Sequence, residues 1–155
     1  MTGSTPATSG IIGNEWYDRK LGRSITSVED SETKLLGGSE GAVGSSPHNL
    51  LVSTIGDELK AADNGQSRVI GISMKDRAAI LPAGRSADAA YWFDNTTGAV
   101  VSSTWYQPQL PAWVGQFNEQ KLAQRDLGKT WTAAGAAKPF VVLPSAPGKE
   151  YIAAW

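Results

Sequence analysis

The chain has 155 residues, 41% of them hydrophobic and 19% charged, which is typical of one globular domain long enough to bury a core. Its 14 Lys and Arg residues nearly balance its 15 Asp and Glu residues, and without a basic excess we expect no nucleic acid as a partner. No apolar run approaches the ~20 residues that span a bilayer, and the first residues lack the features of a signal peptide, so we also expect no membrane partner.

The first part of the chain predicts loops and one hairpin. Residues 1–14 are rich in Gly, Ser, Thr and Pro, and we expect a structured loop that buries Ile11 and Ile12. The strand-forming residues between 15 and 28 are interrupted near Gly22, which predicts a β-hairpin. Residues 37–44 contain four glycines and predict a loop.

Residues 47–62 predict a helix. Ser46 and Pro47 are a favourable N-cap and first helical residue, and Asn64-Gly65 is a favourable end. Apolar residues at four-residue spacing are expected to form its buried face: Leu51, Ile55 and Leu59.

A β-forming run at 67–73 follows this helix directly. An almost wholly apolar strand after a helix predicts an interior parallel strand of an α/β sheet. Residues 89–93 and 99–105 flank Asn95-Thr96-Thr97-Gly98 and predict a second hairpin. The remaining predicted elements are a helix that begins at Leu110-Pro111, a second short helix at about 118–126 and a strand at 140–143.

Lys75 and Arg77 follow the predicted parallel strand and are candidate site residues. Ligands of open α/β sheets bind beyond the carboxyl ends of the strands. If the backbone stays extended there, positions two apart point the same way, and the two cations could close on an anion such as a phosphoryl group. Charged triplets such as Lys75-Asp76-Arg77 are also common in solvated turns that bind nothing, and residue types alone favour such a turn, in which Asp76 neutralises its neighbours.

Other candidate groups are weaker. The chain has no cysteine and one histidine, His48, for which a capping or surface role is expected. A metal site built from this chain alone would therefore depend on carboxylates, which suit magnesium or calcium better than zinc. Asn14 is typical of a turn residue, and its amide would count as a phosphate donor only in the company of other anion-binding groups.

Four stretches together resemble the zinc-dependent bacterial alkaline phosphatases with a threonine nucleophile. That family lies in the type I phosphodiesterase/nucleotide pyrophosphatase branch of the alkaline phosphatase superfamily. The stretches are 2–18, 46–59, 71–84 and 87–94, and they occur in order and with family-like spacing over roughly residues 2–118. The first contains Gly10-Ile11-Ile12-Gly13-Asn14, and the third contains Ser73-Met74-Lys75-Asp76-Arg77. The resemblance implies an α/β fold, a partial alkaline-phosphatase-like sheet-and-helix scaffold with inserted β-hairpins, and suggests an internal fragment of such an enzyme.

The resemblance also implies a division of the chain. We expect a single incomplete domain over 1–155, with a phosphate-site scaffold at 1–86. Residues 87–130 would supply a hairpin and helices of the cap region, and 131–155 an irregular tail. Members of the family are periplasmic or secreted.

The resemblance implies phosphate binding by Asn14, Lys75 and Arg77. Family members attack with a threonine alkoxide held by two zinc ions and then hydrolyse the phospho-threonine. The place of that threonine falls before Met1, and the zinc ligands lie partly before and mostly after this chain. We therefore expect no catalytic residue, metal ligand or cofactor here, and a segment that recognises a phosphate monoester or inorganic phosphate but is inactive alone.

Further expectations accompany this assignment. Two positions where relatives would carry histidine are Ser9 and Arg85, and the arginine is either an added cation near the site or a surface change. Because much of the parent sheet would be missing, we expect self-association or a complementary remainder of the parent enzyme as a partner. The alternative function is a non-catalytic binding module that uses its aromatic hairpins, which an exposed row of Trp92, Trp105 and Trp113 would support.

Overall fold

A computed structural model describes residues 2–125 and 128 of the chain. The tail at 131–155 and the strand expected at 140–143 lie outside these residues. No helix in the described part of the chain is both long and apolar enough to span a membrane.

The elements, in chain order, are α1 (Pro6–Ser9), β1 (Glu15–Asp18), β2 (Arg23–Thr26), β3 (Glu29–Leu36), β4 (Val43–Ser45), α2 (Ile55–Ala62), β5 (Ile70–Ser73), α3 (Asp76–Ala83), β6 (Ala89–Asp94), β7 (Ala99–Ser103), α4 (Ala112–Glu119) and α5 (Leu122–Arg125).

The strands form two sheets. β1 and β2 pair as an isolated antiparallel hairpin, and the other five strands form one sheet in the order β4-β3-β7-β6-β5. All pairs in the larger sheet are antiparallel except β5 and β6, which run parallel and are joined through α3. The parallel direction of the strand predicted at 67–73 is therefore confirmed, whereas β3 and α3 were not expected.

Both predicted hairpins are confirmed, and their turns are built alike. The carboxylate of Asp18 accepts hydrogen bonds from the backbone of Lys20 and Leu21, and Gly22 closes the turn at φ +67°. The carboxylate of Asp94 similarly accepts hydrogen bonds within its own turn, which ends at Gly98 with φ +72°. In each turn an aspartate accepts hydrogen bonds from nearby donors, and a glycine adopts positive φ without strain. Both residues are visible in the sequence, which is why these turns could be predicted.

The first long helix starts later than predicted. α2 begins at Ile55, and its N-cap is Thr54, whose hydroxyl accepts a hydrogen bond from the backbone N–H of Asp57. The Asp57 carboxylate in turn accepts from the backbone N–H of Thr54 at 2.9 Å, which completes a capping box. The helix ends at Ala62, close to the predicted end, and Asn64 there has positive φ.

Ser46 does not cap a helix because its hydroxyl is used in a tertiary contact. The buried Ser46 Oγ donates to the carboxylate of Asp30 at 2.5 Å and accepts from the backbone N–H of His48. The chain then makes a turn in which the N–H of Leu50 donates to the carbonyl of Pro47. The start predicted at Pro47 was therefore wrong.

One core lies between α3 and the sheet. Ile80 of α3 packs there with Trp92 of β6 and Val101 of β7, together with buried residues from the preceding loops such as Leu50. The opposite face of the sheet is covered in part by α4, where Val114 packs against Ala89 and Tyr91. α4 starts beside Pro111 as predicted, whereas the following short helix begins only at Leu122.

Several apolar residues expected to be buried are exposed. Among the described residues, β5 is an edge strand with β6 as its one neighbour, and Ile72 is 73% exposed. The predictions of an interior strand, of a buried apolar face on the helix and of a buried Ile12 were therefore wrong. The exposed residues concerned are Ile12, Leu51, Ile55, Leu59, Ile70 and Ile72.

Candidate functional site

A cavity of about 400 Å³ opens where the two parallel strands end. Lys75 follows β5 by two residues, and Asp94 is the last residue of β6. Parallel strands place their carboxyl ends at one edge of a sheet, which is where open α/β folds bind ligands. The lining residues are Leu35, Met74, Lys75, Asp76, Arg77, Trp92, Phe93, Asp94, Asn95 and Thr96.

Lys75 and Arg77 both line this cavity, although the backbone between them is not extended. Lys75 itself is extended, with φ −125° and ψ 143°, but it is the N-cap of α3, and the chain becomes helical at Asp76. The assumption of a strand-like backbone was therefore wrong, because the helix begins immediately after the strand ends. The two cations reach the same cavity from the N-cap and the first turn of one helix.

Two cations and two carboxylates line the cavity, so its formal charges balance. Within residues 2–125, neither Lys75 nor Arg77 takes part in an ion pair; the three pairs present join Arg23 to Glu29 and Asp88 to Lys60 and Arg68. The two acids of the cavity already accept hydrogen bonds, Asp76 from the backbone of Arg77 and Asp94 from its own turn. The N-terminus of α3 adds partial positive charge at the same point.

Asn14 is not among the residues that line this cavity. It lies immediately before β1 with an exposed side chain, and its backbone carbonyl accepts a hydrogen bond from the N–H of Ser27 at 2.9 Å. The structure thus places Lys75 and Arg77 around one cavity and leaves Asn14 outside its lining. A three-residue phosphate site remains a prediction.

A second polar cluster, centred on Asp57, was not expected from the sequence. Besides capping α2, the Asp57 carboxylate accepts hydrogen bonds from the backbone N–H and the hydroxyl of Ser86 at 2.8 and 2.6 Å. Partial burial raises the pKa of Asp57, but the hydrogen bonds from Ser86 and Thr54 outweigh it, so the pKa lies below its usual value. The Thr-x-x-Asp spacing of a capping box was the available sequence signal, and the cluster ties α2 to the end of α3.

Arg85 has a structural position. Its Nη1 donates to three backbone carbonyls in the loop before α2, with a shortest distance of 3.0 Å to Leu50. Its guanidinium also lies 5.6 Å from the ring centre of Trp105. Of the two interpretations of this arginine, an added cation at the site is thus not favoured, since its donors hold the loop. His48 is exposed, and Ser9 is buried.

The described residues do not fit a zinc site. Among residues 2–125 and 128, no three His, Cys, Asp or Glu side chains lie together in a way that could hold a metal ion. Zinc sites in proteins need three or four such ligands. No step of a reaction is therefore assigned to a metal held by these residues.

Residues 1–148 match the type I phosphodiesterase / nucleotide pyrophosphatase family. The chain belongs to this family. It is 51% identical to alkaline phosphatase PhoV of Synechococcus elongatus and 44% identical to alkaline phosphatase PafA of Elizabethkingia meningoseptica, in each case over 84% of this chain and 24% of the relative. The chain thus spans about a quarter of the length of these curated relatives.

Solved structures agree with the sequence comparison. The crystal structure of wild-type PafA matches 86% of this chain and 26% of its own, with a TM-score of 0.79 and 42% identity. A second PafA structure is that of a variant in which one threonine, one asparagine, one lysine and one arginine are replaced. The predicted fold class, an α/β scaffold like part of an alkaline phosphatase, is confirmed.

Proposed function

We propose that this chain is the phosphate-recognition segment of an alkaline phosphatase, in which Lys75, Arg77 and Asn14 bind a phosphoryl group. The observation that carries the proposal is the cavity beyond β5 and β6, where two cations without an ion-pair partner among the described residues share one lining. A phosphoryl group spreads its charge over several oxygens, so an arginine fork and a lysine point charge can hold it together.

The spacing of replaced residues in the PafA variant supports the same three positions. There the lysine and arginine are two positions apart, and the asparagine lies 62 positions before the lysine. Here Lys75 and Arg77 are also two apart, and Asn14 precedes Lys75 by 61 positions. Asn14 would then approach the anion from outside the cavity lining when a phosphoryl group is bound.

Hydrolysis would need groups that the described residues do not offer. The resemblance implies attack on phosphorus by a threonine with the help of two zinc ions, and we place that chemistry outside the described residues. The role left to Lys75, Arg77 and Asn14 is to bind and orient the phosphoryl group. The activity proposed for the complete enzyme is phosphomonoester hydrolysis at a periplasmic or secreted location.

Phosphate binding tests the proposal directly. Titration of the chain with inorganic phosphate, followed by calorimetry, should show weak binding that Lys75→Ala and Arg77→Ala each weaken about tenfold, because each removes a charge-assisted contact. Asn14→Ala should have a smaller effect, since it removes a neutral donor. Lys20→Ala removes an exposed cation in the turn between β1 and β2 and should leave binding unchanged. Equal losses in Lys20→Ala and Lys75→Ala would contradict a specific site.

Turnover is a separate measurement. With zinc added, the chain alone should not hydrolyse an aryl phosphate faster than the ester hydrolyses in buffer without protein. Hydrolysis that disappears on Lys75→Ala would refute the inactivity of the chain, while leaving phosphate recognition at this site supported.

The alternative function, a binding module with aromatic hairpins, has less support. Trp92 is only 5% exposed and belongs to the core, and Trp105 is half-buried beside Arg85. Trp113 is exposed but contacts Tyr91 edge-on, with ring centres 5.3 Å apart. The three rings therefore do not offer a continuous exposed row to a glycan or protein.

A further inference from the structure

We infer that Asn49 is a positioning residue for Asn14, and that Arg85 fixes the loop from which Asn49 acts. The inference deepens the proposed function and rests on it, since it concerns how the phosphate-binding amide of Asn14 is held in place. Asn14 has an exposed side chain in the loop before β1. An exposed amide contributes to anion binding only if the backbone that carries it is already fixed before the anion arrives.

Asn49 contacts the chain on both sides of Asn14. Its side-chain Nδ2 donates to the carbonyl of Ser27 at 3.3 Å, and the N–H of Ser27 donates to the carbonyl of Asn14 at 2.9 Å. On the other side, the backbone carbonyl of Asn49 lies so close to Gly10 that an added Cβ would overlap its oxygen. Asn49 therefore holds both the segment that leads into Asn14 and the residue to which Asn14 is hydrogen-bonded.

Ser27 provides a fixed anchor for this connection. It is 1% exposed and follows β2 directly, so its hydrogen bond to Asn14 closes the open end of the β1–β2 hairpin. The next residue, Val28, is fully buried in the core. A further backbone bond, from the N–H of Leu51 to the carbonyl of Ser9 at 2.9 Å, joins the loop of Asn49 to the segment before Asn14.

Arg85 in turn fixes the loop on both sides of Asn49. Its Nη1 lies 3.0–3.4 Å from three backbone carbonyls, to which it donates. They belong to Pro47, His48 and Leu50. One side chain thus holds the residues immediately before and after Asn49, which leaves the loop little freedom to carry Asn14 away.

The same helix carries the cations and leads to this arginine. Lys75 is the N-cap of α3, Arg77 lies in its first turn, and Arg85 lies two residues beyond its last residue. α3 has eight residues and is therefore about 12 Å long. Through Arg85 and the loop, the position of Asn14 is referred to the helix that presents both cations. This explains how an amide outside the cavity lining keeps a fixed position relative to them.

A double-mutant cycle on the full chain tests the inference, with inorganic phosphate as the probe and NMR titration as the measurement. Asn49→Ala should weaken phosphate binding about threefold, as Asn14→Ala does, because either change removes the contribution of one neutral hydrogen bond. Asn49→Ala added to Asn14→Ala should cause no further loss, since the group that it positions is already gone. A further loss in the double variant would show that Asn49 acts independently of Asn14 and would overturn the inference.

The side-chain amide signal of Asn14 gives a readout that a loss of stability alone does not move. Saturating phosphate should shift this signal in the wild-type chain, Asn49→Ala should reduce the shift, and Asn49→Gln, which keeps the donor, should restore part of it. The matched control is Asn118→Ala, which removes two side-chain hydrogen bonds of 2.8 Å to the backbone of Val100. It should lower stability but keep the affinity and the shift. Equal losses in both alanine variants would contradict a positioning role.

A second variant covers the case in which Asn49→Ala does not fold. Arg85→Met keeps an apolar stem beside Trp105 and removes the donors to the loop, and it should weaken binding with the same lack of additivity toward Asn14→Ala. Additive losses there would overturn the role of Arg85.

Failure of this inference can be told apart from failure of the proposed function. If Lys75→Ala and Arg77→Ala leave phosphate binding unchanged, the proposed function is wrong. If they weaken it and Asn14→Ala does too, while Asn49→Ala has no effect, only the positioning role is wrong. If Asn14→Ala itself has no effect, there is nothing for Asn49 to position, and the inference falls while the two cations remain.

Discussion

The two sides of strand β5 show how little an apolar sequence says about burial. On one side, Gly71 lies against the backbone of α3, and Ile80 of that helix is fully buried. On the other, Ile70 and Ile72 are exposed. Ile80 and Ile72 are the same residue type, but their neighbours differ. Burial of an isoleucine depends on which elements surround it: α3 covers one side of this strand, and the isoleucines on the other side are exposed.

The largest expected effect is a difference in unfolding free energy between truncating a buried isoleucine and truncating an exposed one. Ile80→Ala should lower the free energy of unfolding by about 4 kcal/mol, because it removes buried methyl groups and leaves a cavity. Ile72→Ala should change it by less than about 0.5 kcal/mol, since the side chain is mostly in water already. Urea denaturation of both variants gives the two values. Similar losses in both would mean that the open side of β5 is covered in solution.

The packed side of β5 can be tested by adding one methyl group. Gly71→Ala should destabilise the chain by about 3 kcal/mol, because its Cβ would overlap the Ala79 carbonyl and force β5 and α3 apart. Gly115→Ala is the matched control within α4, where nothing lies within 4 Å of an added Cβ. There the unfolding free energy should rise by about 0.5–1 kcal/mol, through better helix propensity. A neutral Gly71→Ala would show that β5 and α3 are not tightly packed.

The smallest expected effect concerns the polar cluster that holds α2 to the end of α3. Asp57→Asn should cost about 2 kcal/mol at neutral pH, because charge-assisted hydrogen bonds from Ser86 and Thr54 are weakened. The folded-state pKa of Asp57 is depressed, so its stabilisation is fully present above about pH 4 and is lost as pH falls further.

Urea denaturation between pH 2 and 7 follows this titration. The wild-type chain should lose stability on acidification, and Asp57→Asn should lose less. Asp88 contributes in the same direction, since hydrogen bonds from the Val69 N–H and from Lys60 and Arg68 lower its pKa to about 2. Glu40→Gln, an exposed change in the loop after β3, should keep the wild-type profile. An identical profile for Asp57→Asn would remove Asp57 from the acid dependence.

Turns and the start of α4 could be predicted because their causes are local. Asp18 and Gly22, like Asp94 and Gly98, make their hydrogen bonds and positive φ within five residues of chain. Pro111 likewise sits directly before α4 without needing a distant partner. The placement of Lys75 and Arg77 beyond a parallel strand was also inferred from the order of neighbouring segments, and the shared cavity agrees with it.

What the sequence determined by itself, then, were features whose energies arise between residues close in the chain: turns, the start of α4, and a strand followed by two cations. Only the tertiary structure decided whether Ser46 would cap a helix, because its hydroxyl donates a hydrogen bond to Asp30, which lies on a different element. The same holds for Ile72, since burial is a property of the elements that surround a side chain, and in the described sheet β5 lies at the edge.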